Sequence, residues 1–150
     1  MSIFSNAMAF AAFVCLSSAS WADTVSVRNG SDTFYAGAQV SESVDTVGDT
    51  FIGARSVQLL GATQGDLHIS GFDVSVSADA AEDLYALGGT VVIRGAIAED
   101  LTAAGFSLRT EPTSETRGNV RLLGNTVTIE GPVAGALSVM GRDVILNAAI

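Results

Sequence analysis

The chain has 150 residues, with sixteen Asp and Glu against seven Arg and no Lys, and a formal net charge of −9. That length serves one domain with one core, and abundant Gly, Ala and Val with few aromatics suits many short strands. So acidic a surface repels phosphate backbones and anionic lipid, which argues against nucleic acid as a partner.

Residues 1–22 read as a secretory signal peptide. The apolar run from Ala7 to Leu16 is followed by Ser17-Ser-Ala-Ser-Trp-Ala22, with small residues at Ser20 and Ala22 placed for cleavage before Asp23. The run is short for a transmembrane helix, and no Lys or Arg precedes it. Export to the periplasm or the extracellular space is therefore expected. Membrane contact is expected only if this segment is retained. Cys15 leaves with it, so the mature chain brings no thiol into an oxidising compartment.

Residues 23–150 are expected to form the folded domain. Asp23 to Asn29 alternates apolar and polar residues, which predicts a strand, and Asn29-Gly30 predicts a turn that ends it, as a lead-in to the first coil. From there one motif recurs every seventeen residues. Asp32, Asp49, Asp66, Asp83 and Asp100 mark its phase, which slips by two and resumes at Asn119 and Ala136. Five residues after each mark stands a small residue (Gly37, Ala54, Gly71, Gly88, Gly105, Gly124, Gly141), and eight after it an aliphatic one, as at Val57 and Val74. Seven copies that keep their residue types define a repeat architecture.

Apolar residues fall in three clusters within each copy: at one and three after the mark (Leu67, Ile69), at eight and ten (Val74, Val76), and at fourteen (Ala80, Ile97, Val133, Ile150). Period two within a cluster predicts a strand with one buried face, and the change of parity between clusters demands a corner. Three short strands and three corners make one turn of a triangular coil. Coils of fixed period stack in parallel and give each backbone N–H and C=O a partner in the next coil. The fold expected is thus all-β, a triangular parallel β-helix (β-solenoid) of roughly seven coils, each inward aliphatic contributing roughly 1.5 to 3 kcal/mol. The polar stretch Arg109 to Gly118 holds the slip and is expected to replace the third side of the fifth coil with an outward loop. Ala148-Ala149-Ile150 carries no polar or aromatic cap, which leaves truncation, capping by another chain, or end-to-end assembly.

Gly65-Asp-Leu-His-Ile-Ser-Gly-Phe-Asp-Val-Ser-Val76, the stretch Glu82 to Gly95 and the stretch Gly118 to Gly131 resemble the bactofilins, bacterial polymer-forming cytoskeletal proteins, over about Thr33 to Ile150. The resemblance implies a right-handed helix that polymerises end to end without nucleotide, as a scaffold near the cell envelope. Bactofilins are typically cytoplasmic, so the leader here implies an exported relative.

No catalytic, cofactor or metal site is expected. An aligned Asp stripe could offer oxygen ligands to divalent cations, but Asp and Asn also occupy corners because they bond nearby backbone N–H groups, and Asn119 keeps that ability without the charge. His68, between inward Leu67 and Ile69, is expected to point to solvent. Asp73, Asp79, Glu82, Glu99 and Arg94 could serve a polysaccharide-cleaving groove, but one insertion is too little to wall a cleft. The glycines form no phosphate loop. The function expected is a structural, non-catalytic solenoid that assembles with itself or scaffolds envelope proteins. The alternative is a binding module that displays the 109–118 loop and an acidic face to a glycan or envelope protein.

Overall fold

A computed structural model describes residues 24–150; the expected leader, 1–22, lies outside them. The described chain is all-β and forms a solenoid of about seven turns with about 17 residues per turn. Its strands are β1 (Val25–Asn29), β2 (Asp32–Thr46), β3 (Thr50–Thr63), β4 (Leu67–Val76), β5 (Asp79–Ala80), β6 (Leu84–Ile93), β7 (Leu101–Thr110), β8 (Val120–Ile129) and β9 (Leu137–Leu146).

From β2 to β9 the long strands pair in chain order, each parallel to the next. Register follows the repeat: Leu67 lies beside Leu84 and Leu84 beside Leu101. Each long strand bends at the small residue five after its mark and so makes two sides of the triangle. At Gly71 an added Cβ would stand 2.6 Å from the Ala54 carbonyl oxygen, so the corner needs a small residue because the coils approach closely there. The third side is narrow. β5 pairs with β3, and single bridges then carry the stack from Ala80 to Ile97, Thr116 and Val133.

One column of buried side chains runs up the axis, with Leu67, Leu84, Leu101 and Val120 stacked on one wall and Val57, Val74, Val91 and Val127 on the next. The apolar pattern located these columns and missed their hydroxyl members. Thr33 and Thr50 continue the Leu67 column, and Thr46, Thr63 and Thr116 occupy the fourteen-after position beside Ala80 and Ile97. Three of them are satisfied locally: the Thr46 and Thr50 hydroxyls lie 2.7 Å apart, and Thr63 Oγ1 donates to the Gly65 carbonyl at 3.1 Å.

Two expectations need correction. β1 is no lead-in coil. It folds back antiparallel on β2, from Val25 opposite Ala36 to Asn29 opposite Asp32. Gly30, with φ of 65°, stands first in a two-residue turn with Ser31, and that conformation reverses the chain in a hairpin. β1 thereby covers part of the β2 edge that another coil would otherwise pair.

The slip between Arg109 and Gly118 does not replace the third side of the fifth coil. Thr116 is buried and bridges Ile97 and Val133 in parallel, so that side is kept. The extra residues are absorbed in the corner before it. There the Ser114 N–H and hydroxyl both donate to the Glu111 carbonyl, at 2.9 Å each, leaving Pro112 and Thr113 exposed. A corner accepts a longer turn at little cost, whereas a lost side would break the core column.

Candidate functional site

The marks form a continuous polar ladder along one corner. The Asp49 N–H donates to Asp32 Oδ1 at 3.2 Å, Asp66 N–H to Asp49 Oδ1 at 3.0 Å, Asp83 N–H to Asp66 Oδ1 at 3.0 Å, and Asp100 N–H to Asp83 Oδ1 at 2.8 Å. Asn119 N–H then donates to Asp100 Oδ1 at 2.7 Å, and Ala136 N–H to Asn119 Oδ1 at 3.0 Å. These side chains are expected to bond backbone N–H groups near the corner. They do, but the donor belongs to the neighbouring coil, so the ladder ties coils together instead of closing turns. An amide serves as well as a carboxylate, which is why Asn119 fits.

The second oxygens are partly engaged. Tyr85 donates its hydroxyl to Asp83 Oδ2 at 2.9 Å, and Arg121 donates to Asp100 Oδ2 at 2.9 Å. The carboxylate beside the Tyr85 hydroxyl raises that phenol above its ordinary range. The Asn119 N–H, and after it the Arg121 guanidinium, hold Asp100 below the usual carboxylate range. Among the described residues, Asp49, Asp66 and His68 each bring one potential ligand atom within 4.8 Å of the others. Asp49 and Asp66 already accept backbone N–H bonds through Oδ1, and the His68 ring is held by its neighbours. An acidic group so engaged is accounted for as part of the stack.

His68 points outward as expected, but it is not freely solvated. It is one rung of an aromatic column beside the Asp ladder. Phe34 and Phe51 stack at 4.8 Å and 9°, Phe51 and His68 at 4.6 Å and 2°, and His68 and Tyr85 at 4.9 Å and 4°. All four stand two residues after a mark, so the seventeen-residue spacing of Phe34, Phe51, His68 and Tyr85 was a readable signal. Phe51 and His68 are covered by a ring on both faces, so neither offers the open face on which a sugar ring would stack, while Phe34 and Tyr85 end the column.

The residues considered for polysaccharide chemistry are not brought together. Asp73 and Arg94 line a polar groove on the second side. Arg94 is committed there: its Nε donates to Glu111 Oε2 at 2.9 Å and its Nη1 to Ser75 Oγ at 2.6 Å. Asp79 Oδ1 accepts from the Ala96 N–H at 2.7 Å on the third side, repeating the ladder device there. Glu82 and Glu99 are exposed, one residue before the Asp83 and Asp100 marks.

Comparison with protein-family models, with curated proteins and with solved structures finds no match to this chain.

Proposed function

We propose that the chain is a structural, non-catalytic β-solenoid, an exported relative of the bactofilins, that assembles with itself coil on coil or scaffolds proteins of the envelope. The observation that carries this reading is the uniformity of the step from coil to coil. Each coil meets the next through the same parallel register, the same carboxylate-to-amide bond and the same aliphatic columns. The parallel register and the aliphatic columns are available to a further coil at the edge of β9, because an open coil edge is a template for another coil; Ala136 brings no side-chain acceptor there, and β1 covers part of the β2 edge.

The polar groups support the same reading, since Asp side chains spent on neighbouring amides and Arg side chains paired with Glu leave little for binding a substrate. The pattern of residues 1–22 supports export. Sedimentation velocity and negative-stain electron microscopy on the full chain test the proposal. Rods that lengthen with concentration are expected. A chain that stays monomeric at its highest soluble concentration, and retains no partner on affinity capture from envelope extracts, refutes it.

A further inference from the structure

The outer surface of the first side carries no Asp or Glu, in a chain that has sixteen acidic residues. It is built from the residues two and four after each mark, and its only charged member, Arg121, is paired with Asp100. Its large members are open to solvent: Leu87 is 57% exposed, Leu123 54% and Met140 70%. Phe72 (63%) and Phe106 (69%), at the adjoining corner, extend it. A contiguous apolar surface running the length of a rod is more than a soluble monomer ordinarily exposes.

We infer that this face pairs with the same face of a second copy, side by side and antiparallel, through a two-fold axis at the coil of Tyr85 and Leu87. This contact is distinct from the coil-on-coil assembly proposed above.

Three observations select a second copy as the occupant. The first is electrostatic. Two chains of net charge −9 repel each other, and they approach most easily where neither carries a carboxylate. The two-fold brings both Asp ladders to one solvent-exposed rim, Asp83 opposite its counterpart and Asp66 opposite Asp100, where Tyr85 and Arg121 hold the outer oxygens of Asp83 and Asp100 and salt screens the remaining repulsion.

The second is size. Seven coils at ~4.8 Å and a side about five residues wide give a face of roughly 34 by 16 Å, or about 1,100 Å² for the pair, which clears the roughly 1,000 Å² that a specific interface needs.

The third is shape. The face is bulky at two after the mark in its early coils and at four after the mark in its late ones. The two-fold therefore sets large on small at most of these positions, Phe34 on Ser138, Met140 on Ala36 and Leu123 on Gly53, and sets the Arg121 cation against Phe51. It also brings Phe72 to Phe106 on either side of Leu87, which meets its own counterpart. Self-complementarity of this kind is what a two-fold interface requires.

Crosslinking and sedimentation of the full chain test the pairing. In a Cys15→Ser background, Leu87→Cys treated with a short bismaleimide is expected to give a covalent dimer, while Ser56→Cys on the second side does not. Coil-on-coil assembly cannot mimic this, because it sets equivalent residues of neighbouring chains roughly 34 Å apart. Leu87→Asp, which sets two carboxylates against each other at the axis, is expected to weaken the pairing at least about a hundredfold. Its circular dichroism and any rods are expected to be unchanged, since the side chain is exposed. The pairing is overturned if position 87 does not crosslink, if Leu87→Asp pairs as well as the parent, or if the chain is monomeric with residues 1–22 lying over the face. Rods without a position-87 crosslink overturn this inference alone, and the crosslink without rods leaves it standing while the coil-on-coil reading falls.

Discussion

Replacing Asp66 in two ways separates what its hydrogen bond does from what its charge does. Asp66 is half-buried, and its Oδ1 accepts the Asp83 N–H at 3.0 Å. Asp66→Ala leaves that donor without its acceptor, and a hydrogen bond to a charged group contributes about 1.5–3 kcal/mol. The substitution also removes a negative charge from between Asp49 and Asp83. At one strand spacing each like-charged neighbour repels by about 1 kcal/mol in water, and physiological salt roughly halves that, so the relief is about 1 kcal/mol. The net expectation for Asp66→Ala is a loss of about 0.5–2 kcal/mol. Asp66→Asn keeps an acceptor, as Asn119 does for Ala136 at 3.0 Å, and gains the same relief. It is expected to melt within about 0.5 kcal/mol of the parent, the weaker neutral bond offsetting the lost repulsion. The assay is urea denaturation, chosen over guanidinium because the latter is itself a screening salt. If Asp66→Asn falls as far as Asp66→Ala, the charge and not the amide bond is what the stack uses. That outcome, joined with a thermal shift on adding calcium or zinc, would reinstate Asp49, Asp66 and His68 as a cation site.

Four further expectations follow from local contacts. A Cβ at Gly95 would run into the Ala78 carbonyl, so Gly95→Ala is expected to cost about 1–3 kcal/mol, while at Gly53 nothing stands within 4 Å and Gly53→Ala is expected to stabilise slightly; paired urea melts decide. The Asp100 carboxyl is lowered in the folded chain by the Asn119 N–H and Arg121, so its contribution is present above the unfolded value of about 3.9 and is lost as pH falls through the folded one. Tyr85 is raised by Asp83, so its contribution is complete below about pH 10 and is lost as pH rises through the folded value; ultraviolet titration should find it ionising later in the parent than in Asp83→Asn. Deleting Pro112 and Thr113 shortens the nineteen-residue step from Asp100 to Asn119 to seventeen, and the variant is expected to fold with stability within about 1 kcal/mol of the parent, as judged by circular dichroism and urea melts.

The fold was largely legible because stacking at a fixed period sets like on like. Leu67 over Leu84 over Leu101 is visible as a spacing long before it is a contact. What escaped did so for identifiable reasons. An apolar criterion passes over Thr46 and Thr63, whose hydroxyls bond locally, and over the buried Thr116. Counting forward from Asp100 placed the insertion on the third side. Counting back from Asn119 places Thr116 three before its mark, as Thr63 stands three before Asp66, and the extra pair then falls in the corner at Pro112 and Thr113. His68 was judged by its chain neighbours Leu67 and Ile69, which give the direction of the side chain. Its stacking partners lie seventeen residues away on either side, where only the repeat reveals them. The hairpin at Gly30 is a purely local event, and it overrode the tendency of an alternating strand to join the stack.

Repulsion between like charges reduces the ladder's contribution to stability, and the ladder also selects register. Each bond's gain of about 1.5–3 kcal/mol is offset in part by about 0.5 kcal/mol of screened repulsion for each neighbouring pair, leaving about 1–2.5 kcal/mol per coil. A coil that slipped by one residue would forfeit that bond and also turn its inward aliphatics to solvent, at roughly 1.5 to 3 kcal/mol for each of the side chains concerned. Core column and polar ladder therefore reject the same error by independent means, one through burial and one through direction. The aromatic column adds a third check, since Phe51, His68 and Tyr85 stack only when their coils are in phase. Within the chain the coils of Asp49, Asp66 and Asp83 meet all three tests at once, whereas the coil of Ala136 and Ser138 offers a further coil the aliphatic columns alone. Register within the chain is therefore a property of the repeat itself, most strongly enforced in the coils from Asp32 to Asp83, where ladder and aromatic column run together.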